Sequence, residues 1–112
     1  MTDVSKLLND KVLEFNSKIK DEPGTAKMIE GKTRTICICV SDGKNHFSKL
    51  ENLELENFSI TDDNSADLRV TASSDILEAL ISRTMSPVKA YMKGELKVKA
   101  SLTDMLLLKK LF

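Results

Sequence analysis

The stretch AYMKGELKVKAS, residues 90–101, carries the clearest indications of local structure in the chain. Gly94 interrupts a helical pattern, and glycine is the residue that most often ends a helix. After it, Leu96, Val98 and Ala100 alternate with lysines. A period of two predicts a half-buried strand with one apolar face and one polar face. A helix, a turn and a half-buried strand in close succession indicate an α+β fold.

The residues that follow predict an unusually apolar last helix. Ser101 and Asp104 resemble a capping box, with Asp in place of the usual Glu. From residue 102 to Phe112, seven of eleven residues are large and apolar, whereas packing on one side needs only about three or four in two turns. We expect this helix to be deeply buried, to line a cavity for an apolar ligand, or to form an oligomer contact.

The first part of the chain predicts helices followed by strands. A first helix is predicted from apolar residues at helical spacing: Val4, Leu8, Val12, Phe15 and Ile19. Pro23-Gly24 ends it, and a short second helix is expected over 25–30. Five strands are then predicted, over 35–40, 46–50, 53–60, 66–72 and 96–100. An Asp-Gly turn joins the first two strands, and short connections indicate an antiparallel meander through the first four.

Two further helices are expected between the last two strands. The sequence Ser73-Ser74-Asp75 supplies N-cap oxygens for a helix with an apolar stripe. That stripe consists of Ile76, Leu77, Leu80 and Ile81. Ser86-Pro87 then starts a short helix that Gly94 ends, since proline is favoured in the first turn.

Composition indicates a single globular domain over residues 1–112. Hydrophobic residues make up 41% and charged residues 30%, which argues against disorder. Seventeen basic residues balance seventeen acidic ones, and this argues against a dedicated nucleic-acid binder. The first ten residues are polar and do not resemble a signal peptide, so we expect a soluble, cytoplasmic protein.

Charge is nevertheless segregated along the chain. Positions 51–78 hold eight acidic residues and one arginine, whereas positions 79–112 hold seven basic residues and two acidic ones. The basic part surrounds the apolar last helix, so transient contact with an anionic membrane surface is physically reasonable. Two solvated faces of a neutral protein are the simpler interpretation.

Residues that could carry chemistry are few. Cys37 and Cys39 lie two apart on a predicted strand, at the upper limit of disulfide geometry, and buried or half-buried thiols are the favoured interpretation. His46 starts a strand beside a turn, where an exposed histidine is expected. No nucleophile elbow, phosphate-binding glycine loop or His-Glu-x-x-His motif occurs. We therefore predict no catalytic residue, metal or cofactor, and no enzymatic activity.

The chain from Ala66 onward resembles the sterol carrier protein type 2 family of lipid-binding domains. The family has an Asp near the start of a strand, a Ser-capped helix, then a Pro, an Ala, an aromatic-Met pair, a Gly, an alternating strand and a Leu-rich last helix. The matching positions here are Asp67, Ser73 or Ser74, Pro87, Ala90, Tyr91-Met92, Gly94, Leu96-Lys97-Val98 and Leu111-Phe112. Upstream, the likeness is one of pattern only.

The resemblance implies a five-stranded, mainly antiparallel sheet covered by about four to five helices, with an apolar tunnel between them. It implies a non-enzymatic carrier of a fatty acid, acyl-CoA, phospholipid or sterol. The implied tunnel lining is Phe58, Ile76, Leu77, Leu80, Ile81, Val88, Tyr91, Met92, Met105, Leu108 and Phe112. The alternative is a protein-interaction module of the same fold, with a filled tunnel and a homodimer formed through the last helix.

Two positions depart from the family pattern. Arg83 stands where the family usually has Gly, between the Ser-capped helix and the Pro. Ala100-Ser101 stands where the family usually has Gly followed by Asp or Asn. The backbone is expected to bend differently at these points, so the shape of the tunnel entrance does not transfer from the family.

Overall fold

A computed structural model describes residues 4–62, 65–101 and 104–105, with the side chains of Thr25, Met28 and Ile29 left aside. The described residues form four helices: α1 (Val4–Ile19), α2 (Pro23–Ile29), α3 (Ser74–Ile81) and α4 (Pro87–Met92). They also form six strands: β1 (Arg34–Val40), β2 (Asn45–Glu51), β3 (Glu54–Leu55), β4 (Ser59–Thr61), β5 (Leu68–Ala72) and β6 (Lys97–Lys99).

The strands form one mixed sheet in the order β3-β2-β1-β5-β6, with β4 also paired to β2. The predicted hairpin is confirmed, because β1 and β2 pair antiparallel across the turn at 41–44. The expected continuous meander is wrong, since β5 pairs with β1 in parallel. β3 and β4 already occupy the outer edge of β2, so the chain returns across the sheet and β5 takes the vacant edge of β1.

The predicted third strand, 53–60, is divided into β3 and β4 by a segment that turns into the core. Phe58 is buried there, and its N–H donates to the side-chain oxygen of Asn9 at 2.9 Å rather than to a neighbouring strand. Two turns further along α1, Asn16 bonds both the N–H and the carbonyl of Leu55, at 2.8 and 2.9 Å. The two asparagines of α1 therefore hold β3 and Phe58 against the helix.

The core lies between the helices and one face of the sheet, here called the inner face. Strand alternation places Ile36, Ile38 and Val40 on this face, in register with Leu68, Val70 and Ala72 of β5. All six are buried. α1 covers them with its predicted stripe, and α3 packs beside α1. The opposite, outer face carries Cys37, Cys39, Arg69, Thr71, Lys97 and Lys99, by the same alternation.

Helix ends follow the capping residues, with one correction. Ser73 accepts a hydrogen bond from the N–H of Ile76 and caps α3 as predicted. α2, however, begins at Pro23, two residues before the predicted start. Proline is tolerated in the first turn because the N–H it lacks would have no partner within the helix. Pro23 therefore starts α2, whereas α1 already ends at Ile19, before the predicted Pro23-Gly24 stop.

The start of the last predicted helix is described, and the rest is not. The side chain of Ser101 accepts from the N–H of Asp104 at 3.2 Å, which confirms the predicted cap, and residues 104–105 are helical. The side chain of Asp104 is buried and lies 3.3 Å from Nε of Arg34, an ion pair without hydrogen-bond geometry. The predicted helix beyond Met105, including Leu108 and Phe112, lies outside the described residues.

Candidate functional site

The residues predicted to line a tunnel fall into three groups. Phe58, Leu77, Leu80 and Ile81 are buried and belong to the core. Ile76 is half-buried at the start of α3. Val88, Tyr91, Met92 and Met105 are exposed, and Leu108 and Phe112 lie outside the described residues. The structure therefore brings the α3 residues and Phe58 together in the core, and leaves the α4 residues on the surface.

Ile76 lines a groove of about 330 Å³ at the end of the sheet, here called the Ile76 groove. Its walls come from the ends of β1 and β5, the first turn of α3 and the loop before β6. The lining residues are Ser41, Thr71, Ala72, Ser73, Ile76, Gly94, Glu95 and Lys97. Hydroxyl and charged residues thus share the groove with two apolar ones, Ala72 and Ile76, here called its apolar floor. The residue after Ile76, Leu77, is fully buried.

A second groove, of about 220 Å³, lies on the outer face of the sheet and is here called the cationic groove. It is lined by Cys39, Arg69, Thr71, Lys97, Val98 and Lys99. Thr71 and Lys97 are paired across β5 and β6 and line both grooves, so the two grooves are neighbours. Three basic side chains line the cationic groove without an acidic one, which makes it attractive to an anionic group.

The basic side of this site was missed in the sequence, although its pattern was visible. Lys97 and Lys99 were identified only as the polar face of a predicted strand. Their pairing with Thr71 and Arg69 depends on the register between β6 and β5, which joins residues far apart in the chain. The sequence does indicate part of this site, because two lysines at a spacing of two on a strand must lie on the same face of the sheet.

The two cysteines lie on the outer face, as their spacing predicts. Their sulfur atoms are 3.5 Å apart, and both residues carry thiols rather than a disulfide. Cys37 is buried and Cys39 half-buried, in line with the favoured interpretation. Among the described residues, no group of three His, Cys, Asp or Glu side chains is placed to hold a metal ion.

His46 is buried, and the expectation of an exposed histidine is wrong. The β1–β2 register places it opposite Ile38, on the inner face that α1 covers. Its Nδ1 lies 3.5 Å from Oγ of Ser5 on that helix. The histidine is therefore part of the packing between α1 and the sheet.

A third groove, of about 350 Å³, lies between the end of α1 and the β2–β3 turn. The turn residues Asn52 and Leu53 both have positive φ angles, 54° and 63°. Leucine rarely adopts this conformation, because its Cβ crowds the following carbonyl group. None of the residues predicted to line a tunnel belongs to this groove, and most of its lining is polar. The lining residues are Asn16, Ile19, Lys20, Asn52, Leu53 and Glu54.

Charged side chains connect the end of α3 to α1. Glu14 accepts hydrogen bonds from Lys18 at 2.8 Å, from Lys11 at 3.2 Å and from Arg83. The hydrogen bond from Lys18, reinforced by Lys11 and opposed by partial burial, lowers the pKa of Glu14 from 4.5 to about 2. Arg83 follows α3 with a φ of 63°, in the left-handed region that favours glycine. This bend separates α3 from α4.

Near the Ile76 groove, Asp42 ties the β1–β2 turn to the start of α3. Its carboxylate accepts from the hydroxyl of Ser74 at 2.7 Å and from the N–H of Ser74 at 2.8 Å. The same two hydrogen bonds lower the pKa of Asp42, and the bond from the hydroxyl has the larger effect. The neighbouring residues Ser41 and Ser73 both line the groove, so this contact joins two of its walls.

The order of these helices and strands is also that of a known family. The chain matches the sequence profile of the SCP-2 sterol transfer family over residues 8–112. It belongs to that family. No curated protein sequence matches the chain. Within the described helices, none is long and apolar enough to cross a membrane.

Solved structures of SCP-2 proteins share the fold. Sterol carrier protein 2 of Aedes aegypti, determined in complex with the C16 fatty acid palmitate, is 20% identical, with a TM-score of 0.63 over 96% of this chain and 93% of its own. Apo sterol carrier protein 2 of Yarrowia lipolytica is 20% identical, with a TM-score of 0.53 over 96% of this chain and 86% of its own. These identities establish likeness of fold.

The SCP-2 fold also occurs as a small part of a larger enzyme. A stereoselective inverting sec-alkylsulfatase of Pseudomonas sp. matches 70% of this chain at 17% identity, with a TM-score of 0.58. This chain spans only 13% of the length of that sulfatase. The likeness therefore concerns one portion of the enzyme.

Proposed function

We propose that this chain is a non-enzymatic carrier that holds a fatty acyl chain, an acyl-CoA, a phospholipid or a sterol-like ligand. The observation that carries the proposal is the match to the SCP-2 sterol transfer family along almost the whole chain. The palmitate complex of the Aedes aegypti relative supports an acyl chain as the type of ligand. The proposed entry is the Ile76 groove.

The geometry of the Ile76 groove suits an amphiphile. Its volume of about 330 Å³ is near the lower end of the range for small-molecule sites, roughly 300–1,000 Å³. The hydroxyl groups and Lys97 at the rim suit a polar head group, whereas Ile76 leads to the apolar side chains of α3. The proposed lining behind Ile76 is Leu77, Leu80, Ile81 and Phe58.

Energies favour binding that is driven by the acyl chain. An empty apolar space of 300 Å³ would cost roughly 7 kcal/mol. The close packing of Leu77 and Leu80 on the sheet avoids this cost. A 16-carbon chain would gain about 12 kcal/mol before the costs of association, and micromolar affinity needs only about 8 kcal/mol. We therefore propose that the ligand displaces α3 slightly from the sheet, with little dependence on the head group.

Uptake of a fluorescent fatty acid by the delipidated protein tests this proposal. We expect Ile76→Glu to weaken uptake by about tenfold or more, because the change places a charge on the apolar floor of the groove. Leu13→Glu is the matched control, since Leu13 is exposed on α1 and lines none of the three grooves. Thermal unfolding establishes that both variants fold.

Equal uptake by the two variants would contradict the Ile76 groove as the entry. Failure of the unaltered protein to take up any fatty acid, phospholipid or sterol would contradict the carrier function itself. Mass spectrometry of an organic extract of the purified protein would identify the class of ligand it carries.

A further inference from the structure

Three large, exposed apolar side chains lie together on one short helix, α4. Val88, Tyr91 and Met92 of α4 are 65%, 53% and 80% exposed. At 3.6 residues per turn they fall within an arc of about 100° on one side of the helix. We call these three residues the α4 patch. A cluster of exposed apolar side chains is unusual on a small protein and is typical of an interaction surface.

The opposite side of α4 is attached firmly to the body of the protein. Ala90 is buried, and its carbonyl accepts from the N–H groups of Glu95 and Leu96 at 2.9 and 3.2 Å. Leu96 is itself buried in the core. The α4 patch is therefore held in a fixed outward orientation and does not belong to a loose segment.

Charge around the α4 patch indicates the type of partner. Lys89 and Lys93 are exposed on the flank of the helix, between the α4 patch and the buried side. α4 contains no acidic residue, and from Arg83 to Lys99 the chain has five basic residues and only Glu95 as an acidic one. Apolar side chains with lysines beside them, and a tyrosine among them, are typical of surfaces that bind anionic membranes.

We propose that the α4 patch docks this protein onto an anionic lipid bilayer. Val88, Tyr91 and Met92 enter the boundary between head groups and acyl chains, and Lys89 and Lys93 lie at the level of the phosphates. Gly94 and Glu95, which follow α4 after its C-cap Lys93, line the Ile76 groove. Docking therefore brings the mouth of that groove next to the bilayer, where a carrier would exchange its lipid; this purpose rests on the proposed function.

A second copy of the chain fits the α4 patch less well. A two-fold contact through α4 would bring Lys89 and Lys93 near the same lysines of the other copy. Like charges across such a contact oppose association, whereas phosphate groups of a membrane would neutralise them. The charge of α4 thus favours a lipid surface over dimerisation.

Sedimentation of the full chain with vesicles tests the proposal. We expect binding to phosphatidylcholine vesicles that contain phosphatidylserine, weaker binding to pure phosphatidylcholine, and a decrease as sodium chloride is added. Met92→Asp should weaken binding about tenfold, because a charge then enters the apolar boundary. Leu13→Asp is the matched control, since Leu13 is also a largely exposed apolar residue, 68%, on α1. Its binding should stay within about twofold of the unaltered protein.

A second variant separates the charge from the apolar contact. Lys89→Gln combined with Lys93→Gln should also weaken vesicle binding about tenfold and should reduce its dependence on salt. This variant should still take up fatty acid from solution, because neither lysine lines the Ile76 groove. In the unaltered protein, absence of fatty-acid uptake with vesicle binding present would contradict the proposed function alone, and absence of vesicle binding with uptake present would contradict this inference alone.

Three results would overturn the inference. The first is equal loss of vesicle binding in Met92→Asp and Leu13→Asp, which would show that docking does not depend on the α4 patch in particular. The second is equal binding to vesicles with and without phosphatidylserine. The third is a dimer in sedimentation velocity that Met92→Asp dissociates, without any vesicle binding, which would make a second copy the partner of the α4 patch.

Discussion

α3 and α4 are successive short helices with the same local pattern, yet one buries its apolar side chains and the other exposes them. Leu77, Leu80 and Ile81 of α3 lie in the core. Val88, Tyr91 and Met92 of α4 have similar spacing and similar size, but more than half of each is exposed. The difference shows that the spacing of apolar residues determines which side of a helix is apolar, whereas the rest of the fold determines what packs against that side.

The bend at Arg83 accounts for the difference. α3 packs beside α1 on the inner face of the sheet, so its stripe meets a surface that is already apolar. After the left-handed residue Arg83, the chain changes direction and α4 attaches through Ala90. Glu14 of α1 binds Arg83 and fixes the bend to the body of the protein.

The largest effect that the comparison predicts is for Leu80→Ala on α3. Leu80 is buried, so the variant loses apolar contacts and leaves a cavity that close packing cannot fill. We expect the free energy of unfolding to fall by about 3 kcal/mol. Urea denaturation would measure this loss, provided that the slope of the unfolding free energy against urea concentration is the same in both proteins. A loss below about 1 kcal/mol would mean that α3 is not held against the sheet as described.

The bend itself is tested by two substitutions at Arg83. Arg83→Ala and Arg83→Gly both remove the ion pair with Glu14, but only alanine keeps a Cβ in the left-handed region. We expect the glycine variant to be more stable than the alanine variant by about 1 kcal/mol in thermal unfolding. The reverse order would show that residue 83 does not have a positive φ angle in solution.

The link between α1 and the bend should depend on pH. The pKa of Glu14 is lowered to about 2 in the folded protein, so its stabilisation is complete above the ordinary value of 4.5 and disappears as pH falls towards 2. Because the carboxylate is partly exposed, we expect Glu14→Gln to cost no more than about 1 kcal/mol at neutral pH.

Urea denaturation of Glu14→Gln and the unaltered chain at several pH values tests this dependence. The difference between the two proteins should narrow as pH falls below 4.5 and vanish below about pH 2. If the difference in unfolding free energy stays constant from neutral pH down to pH 2, the charge of the Glu14 carboxylate contributes nothing to the contact.

The smallest effect is predicted for Met92→Ala on α4. Met92 is 80% exposed, so little surface is buried on folding and we expect the free energy of unfolding to change by less than about 0.5 kcal/mol. The same measurement as for Leu80→Ala makes the two helices directly comparable. A loss of about 2 kcal/mol or more would place Met92 in the core and remove the contrast between α3 and α4.

Much of the fold could be predicted because its local patterns agree with its tertiary structure. The stripe of α1, the Asp-Gly turn, the Ser73 cap and the family assignment are all confirmed. The parallel pairing of β5 with β1 could not be predicted in this way. It depends on which edge of β1 is vacant, and no short stretch of sequence contains that information.

The site was predictable only in part, for the same reason. The α3 residues were identified from their spacing, and they do lie together. The basic residues of the cationic groove come from β5 and β6, which are separated by two helices in the chain, so only the strand register brings Arg69 beside Lys99. His46 was assigned to the surface because it follows a turn, but α1 covers that end of β2.

The sequence by itself determined which side of each helix and strand is apolar, where most helices begin and end, and to which family the chain belongs. These properties follow from side-chain chemistry and spacing over a few residues. Only the tertiary structure decided that the stripe of α3 is buried, that the α4 patch is exposed, and that Thr71 and Lys97 join two grooves. Burial depends on what packs against a surface, and here the packing partners come from distant parts of the chain.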